Sequence, residues 1–234
     1  MSHMTKPAKA VIRQALSLFK KDPDRLLKRV SGVVHVGANT GQEILLYAKY
    51  GLAVVWIEPV GEVFRILQSN LKGVPDQIAL QALVTDLDNR PYQFHLANNN
   101  GASSSILELN LHQDIWPEVV YEKTITLYSK TLASLLKENN IDSSAYDMLV
   151  MDTQGSELLV LRGAEPILQN FTYIKTEVPD FESYKGCCQL KDLHLFLSQH
   201  GYREFARNRF ATHPGGGKYY DIIYKKKSHL ITTK

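Results

Sequence analysis

Small polar and acidic residues follow several apolar segments of the chain. The apolar segments end in Gly37-Ala38-Asn39-Thr40-Gly41, in Glu58-Pro59, in Asp152-Thr153-Gln154-Gly155 and near Glu177. The free N–H groups of a glycine-containing turn that begins a helix can bind an anion, and a carboxylate can accept the hydroxyls of a ribose. A carboxylate beside a reacting group can also remove a proton. These residue types predict a site for an adenosine-bearing ligand and for acid–base chemistry.

The segments that must position these residues alternate between strand and helix patterns. Apolar or alternating runs predict strands, and spacings of three and four predict helices. The predicted strands cover 30–36, 52–59, 77–85, 90–97, 122–129, 146–151, 171–178, 202–211 and 218–226, and the predicted helices 8–29, 40–50, 61–72, 131–139, from 156, and 190–200. Such alternation predicts a parallel sheet whose carboxyl edge binds ligands. The last two strands, joined by a Gly-rich loop, predict an antiparallel hairpin at the sheet edge.

Length and composition are typical of one α/β domain. The chain has 234 residues, of which 44% are hydrophobic and 22% charged, and a net charge of +3. We expect a tag remnant and helices over 1–29, a domain over 30–228 with an inserted loop over 86–130, and a tail over 229–234. The small charge makes nucleic acid an unlikely partner. No apolar run approaches the roughly 18 residues of a membrane span, and the adjacent Cys187 and Cys188 favour a reducing, cytoplasmic setting without disulfides.

The glycines and the first acid each have a structural alternative. The spacing Gly37-x-x-x-Gly41 differs from the dinucleotide-binding pattern G-x-G-x-x-G, and a tight packing turn also explains it. Glu58 can bind a ribose, or it can be a surface carboxylate beside a helix. Both alternatives remain open on the sequence alone.

Five segments, taken together, resemble a known family. They are VHVGANTGQE, VVWIEP, YDMLVMDTQGSELLVLRGAE, YIKTEV and LHLFLSQHGY, and they span roughly residues 30–205. In this order they are similar to the FkbM family of S-adenosylmethionine-dependent methyltransferases. The resemblance implies a Rossmann-like class I methyltransferase fold: a seven-stranded, mostly parallel sheet with an antiparallel last strand and helices on both faces. It also implies methyl transfer, usually to a hydroxyl of a sugar or natural product.

Two positions depart from the family pattern. His35 stands where relatives commonly have Asp, and Val84-Thr85-Asp86 lacks the acid-plus-small pair expected for adenine. The adenine contacts are therefore unassigned. The candidate cofactor-binding residues are His35, Gly37, Ala38, Asn39, Thr40, Gly41, Glu58, Pro59, Ser104 and Asp152.

The candidate catalytic residues are Asp152, Gln154 and Glu177. Asp152 ends a hydrophobic strand, where a charge is costly without a partner or a function, so we expect a general base there. Its alternative role is N-capping of the helix near Ser156. Asp152 and Glu177 can also supply oxygen ligands to Mg²⁺, whereas a salt bridge from Glu177 to a nearby cation is the structural alternative. Glu157 either orients an acceptor or is an ordinary first-turn acid.

The polar loop over 98–117 is longer than most connections, and such loops tend to be lids or binding segments; a merely flexible loop is the open alternative. Ser103, Ser104 and Ser105 can bind the cofactor or an acceptor. His112, Asp114 and Trp116 are candidates for sugar binding, with the indole as a stacking surface.

Several functions compete at this stage. An O-methyltransferase acting on a small molecule or carbohydrate is the first hypothesis. An RNA 2′-O-methyltransferase is the second, since Asp152, Lys175 and Glu177 resemble the Lys-Asp-Lys-Glu arrangement of those enzymes. A non-catalytic cofactor-binding protein or a nicotinamide dehydrogenase is the third. A homodimer is compatible with all of these hypotheses.

Overall fold

Residues 26–227 are described in the structure, which is a computed structural model. Their main feature is a seven-stranded sheet. In spatial order its strands are β3 (Gln77–Leu80), β2 (Ala53–Ile57), β1 (Gly32–Val36), β7 (Met148–Met151), β8 (Tyr173–Pro179), β10 (Lys218–Lys226) and β9 (Tyr202–Thr212). The first five are parallel, and β10 is antiparallel to both of its neighbours. The predicted sheet with an antiparallel last strand is confirmed. The predicted tag remnant, the tail and all but the end of the helical segment 8–29 lie outside the described residues.

Helices cover both faces of this sheet, as predicted. They are α1 (Ile44–Lys49), α2 (Gly61–Asn70), α3 (Leu132–Glu138), α4 (Glu157–Gly163) and α5 (Leu190–Gln199), with 3₁₀ turns at Leu111–Asp114, Ser143–Ala145 and Glu165–Asn170. Because successive strand side chains point to opposite faces, Val33 packs in the core beneath α1 and α2, whereas Val34 packs beneath α3, α4 and α5. Valine-rich β1 is buried on both faces for this reason.

The predicted third strand, 77–85, is two strands in the structure. The main sheet keeps only β3, and after Gln81-Ala82 the chain forms β4 (Leu83–Val84). That short strand pairs with β6 (Tyr121–Lys130), which in turn pairs antiparallel with β5 (Pro91–Ala97). Burial of Leu83 against Val60 and Phe94 accompanies this change of sheet. The expectation that the third strand ends at Val84-Thr85-Asp86 is therefore wrong, and its carboxyl end is Gln81-Ala82.

Within residues 26–227, none of the helices combines the length and the apolar character that crossing a membrane requires.

Candidate active site

A pocket opens at the carboxyl edge of the main sheet. It is walled by the residues that follow β3, β2, β1 and β7 and by the small three-stranded sheet. It is lined by His35, Val36, Gly37, Asn39, Gln42, Glu43, Glu58, Pro59, Ala82, Leu83, Val84, Phe94, Gly101, Ala102, Ser104, Asp152, Thr153, Gln154 and Ser156. The sequence candidates within this set are His35, Gly37, Asn39, Glu58, Pro59, Ser104, Asp152 and Gln154. Four other candidates, Ala38, Thr40, Gly41 and Glu177, do not line it.

Glu58 lies at the end of β2 and is only 6% exposed, unlike a surface carboxylate. Its Oε2 accepts a hydrogen bond from the Asn39 backbone N–H at 2.9 Å, and its Oε1 accepts one from the Val60 N–H at 2.9 Å. Burial raises the pKa of Glu58 to about 7, and these two bonds oppose the rise. The carboxylate therefore joins the β1 turn to the start of α2 and keeps further acceptor capacity on the pocket side.

The two glycines of the β1 turn have packing roles. Gly37 has φ +79°, and a Cβ on it would lie 1.9 Å from the backbone oxygen of Asp152. A Cβ on Gly41 would lie 2.4 Å from Ile44 and 2.9 Å from Leu67. Gly37 is therefore required because the end of β1 lies close to the residue that follows β7, and Gly41 because the turn lies close to α1 and α2. Any contact of these glycines with a ligand would be an additional reason.

An apolar wall of the pocket was not predicted from the sequence. Ala82, Leu83 and Phe94 line it beside Glu58, and the latter two belong to a small core shared with Val60. Such a surface suits the face of an aromatic base. The only sequence signal for it is the polar Gln81 that interrupts the apolar run 78–84.

Asp152 follows β7 and faces the opposite end of the pocket. Its Oδ1 accepts a 2.5 Å hydrogen bond from Nε2 of Gln154. Burial, and next the negative charge of Glu157, raise the pKa of Asp152 to about 7, whereas the Gln154 bond and the charge of Lys175 lower it. Because α4 begins at Glu157 and Asp152 bonds a side chain, its geometry is that of a pocket residue rather than of an N-cap.

Gln154 connects Asp152 to a third residue. Its Oε1 accepts a 2.6 Å hydrogen bond from the hydroxyl of Tyr184, a buried residue in the loop after β8. The backbone of Gln154 is left-handed, with φ +53°. The amide is therefore held at both ends, with its N–H group directed at the carboxylate.

Glu157 lies beneath this turn rather than in the pocket. Its carboxylate accepts backbone N–H bonds from Thr153 at 2.9 Å and from Gly155 at 3.1 and 3.2 Å. The thiol of Cys188 donates to Oε2 of Glu157 at 3.3 Å. Burial raises the pKa of this thiol. Both groups therefore shape the turn that presents Asp152 and Gln154.

Glu177 lies on the same face of β8 as Lys175, next to Asp152. Burial raises the pKa of Glu177, and the charge of Asp152 raises it further, whereas Lys175 lowers it. Among residues 26–227 there is no group of three or more His, Cys, Asp or Glu side chains that could hold a metal ion. Asp152 and Glu177 are thus neighbours, but no third His, Cys, Asp or Glu side chain of residues 26–227 completes a metal-binding group with them.

The serine-bearing loop is tied to the pocket. The Ser104 hydroxyl accepts from the Ala97 N–H at 3.0 Å, and the Ser105 hydroxyl donates to the Gln154 carbonyl at 2.8 Å. Asn39 Nδ2 donates to the Asn100 carbonyl at 3.2 Å. The loop therefore forms one fixed wall of the pocket.

His112, Asp114 and Trp116 lie farther along this loop. The His112 ring lies 4.6 Å from Trp116 and 4.9 Å from Tyr184 between centroids, and its Nδ1 is 3.0 Å from the Tyr219 hydroxyl. Burial lowers the pKa of His112 to about 4, so it is neutral. Asp114 pairs with His213 at 2.8 Å. The structure thus places an aromatic cluster behind Tyr184, and a sugar-binding role for it remains a prediction.

A family model identifies the chain. The model of the methyltransferase FkbM domain matches residues 35–204, which include the end of β1, all of β7 and every residue that lines the pocket. The chain belongs to this family. Among curated proteins, no sequence matches it.

Solved structures share the fold of this FkbM domain at low sequence identity. Magnesium protoporphyrin IX methyltransferase (ChlM) from Synechocystis PCC 6803 with bound SAH has a TM-score of 0.52 and 9% identity, covering 97% of this chain and 90% of that one. Aeropyrum pernix fibrillarin with bound S-adenosyl-L-methionine has a TM-score of 0.50 and 13% identity, and the match covers 91% of this chain and 74% of that one. M. capricolum TrmK with S-adenosyl-homocysteine has a TM-score of 0.50 and 11% identity, and the match covers 88% of this chain and 70% of that one. The fold is that of the class I methyltransferases.

Proposed function

We propose that this FkbM-family protein transfers the methyl group of S-adenosylmethionine to a hydroxyl of a sugar, glycan or other natural product. The observation that carries the proposal is the position of Asp152. It stands in the same pocket as the buried Glu58, with a raised pKa and a carboxylate held by Gln154. A nucleoside-binding acid and a candidate base at two ends of one pocket are what such a reaction requires.

The order of the strands supports an orientation for the cofactor. Along the edge β3-β2-β1-β7, the pocket presents the apolar residues Ala82 and Leu83, then Glu58, then Gly37, and finally Asp152. Adenine fits the apolar end, and Glu58 accepts the ribose hydroxyls. The sulfonium and its methyl group then lie toward Asp152.

The reaction is an in-line displacement. The acceptor oxygen forms a bond to the methyl carbon, the carbon–sulfur bond breaks, and S-adenosylhomocysteine (SAH) leaves. The hydroxyl proton passes to the Asp152 carboxylate, which makes the oxygen more nucleophilic. The Gln154 N–H group keeps Asp152 in position, and positioning is the main demand of this reaction. Because the described residues include no group of three or more potential metal ligands, no step is assigned to a metal ion.

Calorimetry with SAH and, separately, NAD tests the cofactor. We expect SAH to bind and NAD not to bind; binding of NAD alone would contradict the proposal. A methyl-transfer assay against sugars, lipopolysaccharide fragments and polyketide intermediates, with mass spectrometry of the products, then identifies the acceptor. The same assay after exhaustive chelation tests the Mg²⁺ prediction, since a metal-dependent enzyme loses its activity.

The variant Asp152→Asn tests the base. An amide cannot take the proton, so we expect turnover to fall by about 10²–10⁴-fold with SAH affinity retained. The control is Asp76→Asn, at an exposed residue whose φ of +58° asparagine tolerates. Full turnover by Asp152→Asn would remove the catalytic role.

An RNA ribose is the second candidate acceptor. The charge of Lys175 acts on both Asp152 and Glu177, an arrangement that favours deprotonation of a ribose hydroxyl. Folded RNA transcripts therefore belong in the assay, and methylation of RNA but of no small molecule would select this alternative.

A further inference from the structure

The hairpin formed by β9 and β10 concentrates positive charge in one part of the molecule. Residues 202–227 contain seven Lys or Arg side chains and two Asp or Glu side chains, which gives a net charge of +5. Residues 30–201 contain eleven basic and twenty acidic side chains, a net charge of −9. The small net charge of the whole chain therefore conceals a basic hairpin beside an acidic body. Such a difference favours an anionic partner for the hairpin.

Several of these cations are available to a ligand. Within residues 26–227, Arg207 is the only cation of the hairpin that forms an ion pair, and its partner is Glu204. Arg203 and Arg209 are exposed on β9, and no acidic side chain of the described residues pairs with either of them. An anion can therefore bind these two arginines without first breaking an ion pair.

The outer edge of β9 is protected against pairing with another strand. In the described part of the chain β9 pairs only with β10, and its register shifts at Phe205 and at Phe210, where a bulge leaves one residue without an opposite partner. Phe205 is 51% exposed. Bulges and charged side chains on an edge hinder the addition of a further strand. A ligand of this surface must therefore contact its side chains, which are arginines and phenylalanines.

This surface extends to the edge of the sheet at which the pocket opens. Tyr219 pairs with Pro179, the last residue of β8, so the loop between β9 and β10 lies at the carboxyl edge. His213 of that loop pairs with Asp114 of the serine-bearing loop, which also forms a wall of the pocket. The eleven residues of β9 span roughly 35 Å at about 3.3 Å per residue. A chain of sugars bound along β9 can therefore extend toward Asp152.

The anion that fits this surface best is a carboxylate on a chain of sugar rings. All three cations of β9 are arginines, and the planar guanidinium group binds a carboxylate through two parallel hydrogen bonds. The exposed ring of Phe205 can pack on the apolar C–H face of a sugar. A polynucleotide is disfavoured, because the negative charge of residues 30–201 repels a long anion beyond the hairpin.

We infer that the β9–β10 hairpin binds an acidic oligosaccharide, so that the acceptor is a glycan whose sugars carry carboxylates. This inference rests on the proposed function and deepens it, because it names the charge of the glycan. Arg203 and Arg209 bind carboxylates, and Phe205 supports a sugar ring. The hydroxyl to be methylated is on a sugar farther along the same chain, at the pocket.

Binding of a labelled oligogalacturonate long enough to span β9 tests this surface by fluorescence polarisation with the full chain. We expect this probe to bind and a neutral dextran of equal length not to bind. The double variant Arg203→Gln/Arg209→Gln should bind the oligogalacturonate about tenfold more weakly, because it loses two charged contacts. Phe205→Leu keeps an apolar side chain but loses the ring, so we expect it to weaken binding about threefold.

The matched control is the double variant Arg65→Gln/Lys72→Gln. It removes two exposed charges in and just after α2, which packs beside β3 at the opposite end of the sheet from β9. It should bind the oligogalacturonate as the unsubstituted protein does. None of the substituted residues lines the pocket, so calorimetry with SAH should give the same affinity for every variant and thereby show that each is folded.

Three outcomes overturn the inference. The first is a protein that binds SAH but not the oligogalacturonate. The second is an Arg203→Gln/Arg209→Gln variant that binds the probe no more weakly than the control variant does. The third is tighter binding of a single-stranded RNA of the same length, which selects a polynucleotide instead. If the unsubstituted protein does not bind SAH, the proposed function itself fails, so the two failures are distinguishable.

Discussion

Gln154 donates a 2.5 Å hydrogen bond from Nε2 to Oδ1 of Asp152. The other end of the same amide accepts from the hydroxyl of Tyr184. Because a phenol is held as the donor at one end, the amide presents its N–H group to the carboxylate. An N–H donor stabilises the ionised carboxylate, which is the form that can remove a proton.

Replacing Gln154 should therefore change the pH profile as well as the rate. In Gln154→Gly the left-handed backbone is retained at no steric cost, but the hydrogen bond to Asp152 is lost. The pKa of Asp152 should rise, moving the acidic limb of the pH–rate profile to higher pH and lowering kcat at pH 7 about tenfold, with SAH affinity nearly unchanged. Asn140→Gly, at an exposed site with φ +56°, is the control. If Gln154→Gly is slower but the acidic limb of its pH–rate profile stays at the same pH, this positioning role is contradicted.

The pH dependence of the unsubstituted enzyme follows from the same carboxylate. A general base must be unprotonated, and burial raises the pKa of Asp152 to about 7. The rate should therefore increase about tenfold per pH unit below pH 7 and level off above it. Single-turnover rates between pH 5 and 9 measure this limb. A flat profile over this range would show that Asp152 is not the base.

Glu58→Gln should weaken cofactor binding and flatten the pH dependence of stability. Loss of a charged hydrogen-bond acceptor costs about 1.5–3 kcal/mol, or roughly 10–100-fold in SAH affinity. In the unsubstituted protein the folded pKa of Glu58 is about 7, above its usual 4.5. The folded state therefore binds more protons than the unfolded state between these values, so the free energy of unfolding falls as pH rises from about 5 to 7.

Urea unfolding at pH 5 and pH 8 checks the second effect. The difference in the free energy of unfolding between the two pH values should be smaller in Glu58→Gln than in the unsubstituted protein. If this difference in the free energy of unfolding is the same in both proteins, a group other than Glu58 causes the pH dependence.

Two glycines of positive φ should respond very differently to alanine. In Gly37→Ala the new Cβ would meet the backbone of Asp152 at 1.9 Å, so β1 and β7 must separate. We expect a loss above about 4 kcal/mol in the free energy of unfolding, or an insoluble protein. Gly51, with φ +61°, has no atom within 4 Å of such a Cβ, so Gly51→Ala should cost only about 1–2 kcal/mol. Thermal unfolding compares the two, and similar losses would refute the packing role of Gly37.

The sequence was sufficient for the parts of the site that follow continuous apolar strands. Glu58 and Asp152 each come directly after such a strand, and parallel strands bring their carboxyl ends to one edge. That Glu58 and Asp152 lie in one pocket was therefore predictable from the sequence. The roles of the individual residues there remain predictions.

Other parts depend on contacts between distant segments. Only Gln81 interrupts the apolar run 78–84, which reads as one strand, but pairing of β4 with β6 takes Leu83 out of the main sheet and into the pocket wall. Glu43 falls inside the predicted helix 40–50, whereas in the structure it precedes α1 and faces His35. Glu157 has the pattern of an exposed first-turn acid, and only the fold of the preceding turn buries it. The local spacing of apolar residues does not determine such contacts between distant segments.

The position of β10 between β8 and β9 has a consequence for biosynthesis. β8 gains its second neighbour only when residues 218–226 have left the ribosome, since β10 pairs with both β8 and β9. Until then the edge of β8, which includes Glu177, has unpaired backbone groups that can associate with another nascent chain. Completion of the sheet next to Asp152 and Glu177 is thus a late event in folding during translation.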